Sequence, residues 1–554
     1  MSLFSRVKPL ATILAEGRES EGGLKRSLGP WSLTAMGIGA IIGTGIFVLT
    51  GVASATRAGP ALTLSFIAAG IVSILAALCY AEVSSKIPIA GSAYTYTYAT
   101  LGEFLAWIVG WGLVFEYALG ASTVSVGWSG YFTFILQKLL HLNIPQMWQH
   151  SHWDATPGIA NLPAAGIILL ITALLIRGTK ESGAVNAFIV AVKVLIVLFF
   201  IVIGVGHINF ANYHLPPGPH TGAGGYIPFG WGGVLGGAAF MFFAYIGFDA
   251  VSTAAEESRN PQKDLPFAII MSLAICTVLY IVVAAVLDGM VPFNLLNTPR
   301  PVADAMNYVG LPWAGIVISF GAIAGLTTVL LVMMFGQTRV FFAMSRDKLI
   351  PEAFTRLHPT WRTPALSQLI FGILIAAAGA FFPIGILGSA TNMGTLVAFV
   401  LVSLAVPVLR KRHPEATGTF TVPWGPYVIP ILSAVASATL IYFLKEGNPN
   451  IAIAVSVCYA VLVAALIVAE ITRRWKRGLN GFFFFVEGLC VVLIAGTAFW
   501  ASRGNADVQF PLVWLAFIIW FVIGLALYFA YGRQKSTVAL QEVEGIAPLQ
   551  PRVN

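Results

Sequence analysis

Charge is what this sequence has least of: Asp, Glu, Lys and Arg together make up 10% of it, against about 25% in soluble domains. That scarcity excludes an ordinary soluble enzyme. Cysteine is scarce too, and Cys79, Cys276, Cys458 and Cys490 each sit in an apolar run with neither a C-x-x-C partner nor a neighbouring His. They read as packed thiols and not as a zinc set. Neither H-E-x-x-H nor G-x-x-x-x-G-K-[ST] occurs, which removes the parts of a metalloprotease and of an ATP-driven pump. No catalytic residue, metal or organic cofactor is expected. Residues 1–30 lack the order of a cleaved signal, so the N-terminus reads as retained. No ring of like charges or repeated filter appears, which argues against a passive channel.

What is present is apolar: 58% hydrophobic residues, 56 glycines and a mean hydropathy of +0.84. Spread over the whole length, this calls for the bilayer as solvent. The fold class is an all-α polytopic membrane protein. Runs of about 20 apolar residues mark spans near 32–56, 61–86, 104–136, 160–177, 182–207, 231–255, 266–290, 311–338, 365–382, 385–409, 426–444, 450–471, 482–502 and 509–532. That is about fourteen spans. With the N-terminus inside, the loops on the opposite side hold only Arg57, Lys138, Arg300, Lys445 and Arg503, and nearly all other Lys and Arg fall inside. This bias puts both termini in the cytoplasm. It also accounts for the net charge of +8 without nucleic acid.

Two spans are broken by glycine. Span 1 contains Gly37, Gly39, Gly43 and Gly45, and span 6 contains Gly236, Gly237 and Gly247. They open consecutive groups of five spans, and an odd group size inverts the second group in the membrane. Broken helices at matching places mark a transport site. The expected organisation is a tail 1–30, a first repeat 31–207, an inverted second repeat 231–410, C-terminal spans 426–532 and a tail 533–554. An unwound stretch persists only where it faces protein, water or ligand. The half-helix after Gly43, Thr44 and Gly45 points N–H groups at the midplane, which suits a carboxylate. Carbonyls freed before it, and at Phe243, Ala244 and Ile246, suit an ammonium. Together they describe an α-amino acid, whereas glycines that merely allow close packing are the plainer alternative.

A charge inside a span is a functional hypothesis by default. Lys193 lies roughly 17 Å along its helix, and a lysine in a dry interior exchanges its proton more readily than one in water. It is a candidate proton carrier, the alternative being a carboxylate-paired helix lock. Glu116 has three readings: holder of a cationic substrate side chain, proton carrier or structural acceptor. Asp249 divides between gating and structure. Glu82, Glu103, Asp288, Glu256 and Glu257 lie near span ends, where interface placement explains them. His141, His150 and His152 with Asp154 read as a wet loop edge and not as a metal site, and Phe482–Phe485 as packing.

Three stretches resemble the amino acid–polyamine–organocation superfamily, most closely its cationic amino acid transporter family: Lys25-Arg26-Ser27-Leu28 leading into Gly39 through Gly51; Gly247-Phe248-Asp249-Ala250 running to Glu256 through Pro266; and Arg339 through Asp347 with Thr363-Pro364. Pro88 through Tyr94 supports the match. The resemblance implies a LeuT-type fold of two inverted five-helix repeats plus C-terminal helices. By similarity, Thr44 and Gly45 take the substrate carboxylate, carbonyls of Ile41, Phe243, Ala244 and Ile246 take its amino group, and Phe243 gates it. Lys193 resembles the lysine that replaces sodium in sodium-independent members, implying proton coupling. Fourteen spans match the longer, mammalian form, while Glu116 follows the bacterial pattern.

The sequence therefore describes a secondary active permease of the plasma (inner) membrane. It is read as a proton-coupled symporter of cationic and small neutral L-amino acids such as arginine, lysine and alanine. An exchanger and a neutral amino acid permease are the alternatives. More remote is a transporter-like sensor, or a scaffold for a small single-span partner subunit docked on spans 11 to 14.

Overall fold

A computed structural model describes residues 6–10, 12–13, 28–89, 92–154, 156–178, 183–219, 221–253, 255, 258–416, 418–443 and 509–539. These are helical, and among them the only β pairing is two isolated bridges. The helices are α1 (Pro30–Ile41), α2 (Leu62–Lys86), α3 (Ser92–Thr100), α4 (Glu103–Leu140), α5 (Leu162–Arg177), α6 (Gly183–Val205) and α7 (Gly230–Met241). They continue as α8 (Pro261–Met290), α9 (Pro301–Tyr308), α10 (Pro312–Arg346), α11 (Ala365–Phe381), α12 (Ile384–Arg412), α13 (Val428–Phe443) and α14 (Gln509–Leu527). Twelve of the expected spans overlie described helices; those at 450–471 and 482–502 lie outside the described residues.

Proline opens α1, α8, α9 and α10 at their first turns. Its fixed φ suits the helix start, and its missing N–H would have had no acceptor there. The joint between α11 and α12 is Phe382-Pro383, as tight as the sequence implies. Helices α4 and α10 have 38 and 35 residues, roughly 57 and 53 Å long. Each exceeds the hydrocarbon thickness of about 30 Å and must tilt or project beyond it.

Small residues bring the long helices together. Gly120 of α4 faces Met333 of α10, Gly336 faces the Tyr117 ring, and Gly110 faces Met344. Gly394 of α12 lies against Gly112 and Glu116 of α4. On the other side of α4, Trp111 and Trp520 of α14 stack at 4.5 Å and each indole N–H donates to the other residue's carbonyl.

The first and last described segments, at Arg6 and Arg533, meet on one face, where Arg6 donates to the Arg533 carbonyl at 2.6 Å. This terminal face corrects the placement of the end-of-span acids at a wet interface. Glu82 is fully buried and receives Lys86, both nitrogens of an Arg410 fork and the Val422 N–H. Glu103 is buried under Tyr98, Tyr528 and Ser536. On the far face Asp288 is buried against Ser54. In each case a returning segment roofs the helix end, so the end of a span is not the edge of the protein. Glu256 and Glu257 lie outside the described residues.

Candidate functional site

The first span breaks after α1: Ile42 is extended (φ −72°, ψ 102°), and helical turns resume as Gly45–Leu49, Thr50–Ala53 and Ser54–Ala58. The sixth breaks after α7, through the tight turn Phe242–Tyr245, an extended Ile246 and Gly247 at φ +119°. The two breaks touch. A Cβ on Gly45 would strike the Ala244 backbone, and one on Gly247 would press on Ala40. Gly43 faces Val329 of α10, and Gly39 faces Val190 of α6. Glycine is needed here both for close approach and, at Gly247, for its positive φ.

Backbone accounting at the first break is nearly closed by side chains. Lys193 donates to the carbonyls of Gly39 at 2.6 Å and Ile42 at 3.3 Å. Tyr280 donates to Ile41 at 2.7 Å, Tyr131 to Phe47 at 2.6 Å and Thr50 to Gly45 at 2.8 Å. Lys193 is wholly buried, its stem against Gly325, with Cys276 alongside. Its partners among the described residues are carbonyls, not the carboxylate of a helix lock. Thr44 is buried with its hydroxyl unpartnered, and it is the first residue of the resumed helix, whose leading N–H groups have no helical acceptor. A hydroxyl and free amides converge on one spot, which suits an anionic group.

At the second break, Asn392 of α12 donates to both Ala239 and Phe240 at 2.9 Å. The Phe243 carbonyl accepts the Ile246 N–H at 3.2 Å. Asp249 is buried, and Tyr117 of α4 covers it and donates to it at 3.0 Å. Glu116 stands beside Asp249 and Thr395, also buried, and neither of its oxygens has a hydrogen-bond partner. The acids do not join Lys193. Gly127, the α4 residue against Thr44, is roughly 17 Å along the helix from Glu116. On the far side of the breaks, the Arg57 guanidinium lies 4.2 Å over the Phe240 ring.

Tyr280, Tyr131, Tyr117 and Asn392 escaped sequence reasoning. Asn392 alone left a signal, an amide in the polar run Gly388–Gly394 of an otherwise apolar span. Among the described residues no three His, Cys, Asp or Glu side chains gather as a metal set.

Apolar helices that cross a membrane, two of them broken and meeting in its interior, define a polytopic helical membrane transporter. Residues 28–469 match the family model described as amino acid permease, and the chain belongs to that family, a transporter family and not an enzyme family. It is 46% identical over 472 residues to the methylthioribose transporter of Bacillus subtilis (strain 168), covering 81% of this chain and 99% of that one. It is likewise 46% identical over 430 residues to the branched-chain amino acid permease BcaP of the same organism, covering 77% and 90%. With cationic amino acid transporter 4 of Mus musculus it shares 32% identity over 594 residues, 96% of this chain and 90% of that one.

Proposed function

We propose that the protein is a secondary active, proton-coupled symporter of cationic and small neutral L-amino acids, working by alternating access between two inverted five-helix repeats. Arginine, lysine and alanine are the expected substrates. The observation that carries the reading is the Lys193 ammonium on the carbonyls of the first break. A proton lost from Lys193 would leave a neutral amine whose N–H groups hold those carbonyls more weakly, so protonation and the shape of the break would be linked. Thr44 and Gly45 would receive the substrate carboxylate, and carbonyls around Ala244 and Ile246 its ammonium, with Phe243 as the covering ring. The Ile41 and Phe243 carbonyls already hold one donor each, and a second lone pair remains on each. The terminal face is taken as cytoplasmic, in the plasma membrane, from the Lys and Arg bias.

Glu116 is the proposed holder of a cationic side chain. A substrate anchored at Thr44 would need a long side chain directed toward Asp249 to approach it, so arginine would reach toward Glu116 and alanine would not. The similarity to a branched-chain amino acid permease favours a second reading, a neutral amino acid permease in which Glu116 is not a substrate contact.

Uptake of labelled arginine and alanine into sealed vesicles, with sodium absent and an inward proton gradient imposed or collapsed, tests both. Gradient-dependent accumulation is expected; uptake only into vesicles preloaded with amino acid would mean an exchanger. Glu116→Gln should lower arginine uptake about tenfold or more, the loss of one charged hydrogen bond, and leave alanine nearly unchanged. Equal loss of both would remove the side-chain role.

A further inference from the structure

We propose that Asp288 and Ser54 form a proton-binding site at the far-face end of the first span, separate from Lys193, and that a proton held there lets the outer turns of that span close on α8. This rests on the proposed function only in taking the far face as the outside. Asp288 lies in the last turn of α8, and both it and Ser54 are 0% exposed. The Ser54 hydroxyl donates to one carboxyl oxygen of Asp288, and the other oxygen has no partner among the described residues. An ionised carboxylate has about four acceptor sites to fill, whereas a protonated one has fewer and a proton of its own. A single hydroxyl in a dry pocket fits the protonated form.

Among the described residues, no basic side chain forms an ion pair with it. From the turn Phe210–His214, Tyr213 gives its hydroxyl to the Ala285 carbonyl, and Tyr226 behind it bonds Thr63. His207, at the end of α6, bonds the Ile203 carbonyl of its own helix. Arg57, three residues past Ser54, places its guanidinium over Phe240, and Arg300 pairs with Asp304 on α9. Ser54 is also the first residue of a wide helical turn, Ser54–Ala58, of the kind that marks moving or functional points in helices. Ser54 and Asp288 sit on different elements, so the bond between them breaks when those elements part. An Asp288 that has lost its proton needs water, and the outer turns must lift from α8 to admit it.

The test uses the full chain in sealed vesicles, with Ala53→Cys as reporter and Cys458 and Cys490 replaced by Ser. Ala53 is fully buried next to Ser54. A membrane-impermeant maleimide is applied from outside over a range of external pH, with rates divided by those of a free cysteine peptide. The normalised rate should climb with external pH, by at most tenfold per pH unit for one linked proton. With Asp288→Asn added it should stay low and flat. An Asp288→Asn protein that keeps the parent's pH dependence, or a parent with none, overturns the proposal. Should the reporter fail to fold, infrared spectra of the protein without it decide: the carbonyl stretch of an un-ionised carboxyl must be present and must disappear in Asp288→Asn. An unchanged band overturns the site. Neither readout requires amino acid movement, so failure of the transport reading leaves both standing.

Discussion

The two broken helices meet, yet they are held open by different chemistry. At the first, the freed carbonyls face one ammonium and a set of hydroxyls, from Lys193, Tyr280, Tyr131 and Thr50. At the second, a neutral amide, Asn392, spans two carbonyls, and the charges nearby are the acids Asp249 and Glu116 with the Arg57 guanidinium over the Phe240 ring. Among the described residues, an ammonium braces freed carbonyls at the first break and not at the second. The second is fixed by a group with nothing to titrate. The difference teaches that the backbone of a break can be satisfied by a charged donor or by a neutral one, and that this protein uses one of each.

The largest effect should come from forcing the breaks apart. Gly45→Val drives a branched side chain into the Ala244 backbone, a cost of about 1–3 kcal/mol or more. Uptake should vanish and the thermal midpoint in detergent should fall; a protein that still transports would mean the breaks separate freely. Next is Lys193→Gln, which retains a donor and removes the titrating charge. Gradient-driven accumulation should drop at least about tenfold, the worth of a charged hydrogen bond, while exchange between preloaded vesicles survives. Loss of both activities would give Lys193 the plain bracing role of Asn392.

Asn392→Ala leaves two buried carbonyls without donors, at about 1–3 kcal/mol. The midpoint should fall without any change in the pH profile of uptake, and Asn392→Asp should fare no better because an ionised carboxylate cannot donate. The smallest effect is that of Tyr280→Phe, which removes one hydroxyl from the Ile41 carbonyl. In a membrane interior this is worth about 0.6 kcal/mol. A shift in the pH profile here would show the hydroxyl to be coupled to Lys193 and would blur the contrast between the two breaks.

Much of this was legible in the sequence, for identifiable reasons. Gly43, Gly45 and Gly247 announce the breaks because no other residue permits them, and Lys193 and Glu116 stand out because charge is so rare between Leu62 and Arg412. What sequence does not carry is partnership. The donor to Ile41 comes from residue 280, and the donor to Phe240 from residue 392, and nothing local to either break requires them. Tyrosine is also too ordinary in membrane helices to attract notice. The end-of-span acids were misplaced for the same reason: Glu82 reads as interfacial until Arg410 and Val422 return over it. The short helices α3 and α9, tucked between spans, are too short for the apolar-run criterion.

The cage around Glu103 also sets a clock. Its hydroxyl partner Ser536 follows it by 433 residues, and synthesis at about 5–20 residues per second separates the two by roughly 20 to 90 s. Throughout that interval the extended segment at Arg6, whose carbonyl accepts the Glu103 N–H at 2.7 Å, waits beside a carboxylate whose last donors do not yet exist. Segments more than 400 residues apart in synthesis thus finish the same pocket, and its closure reports that everything between Glu103 and Ser536 has been made.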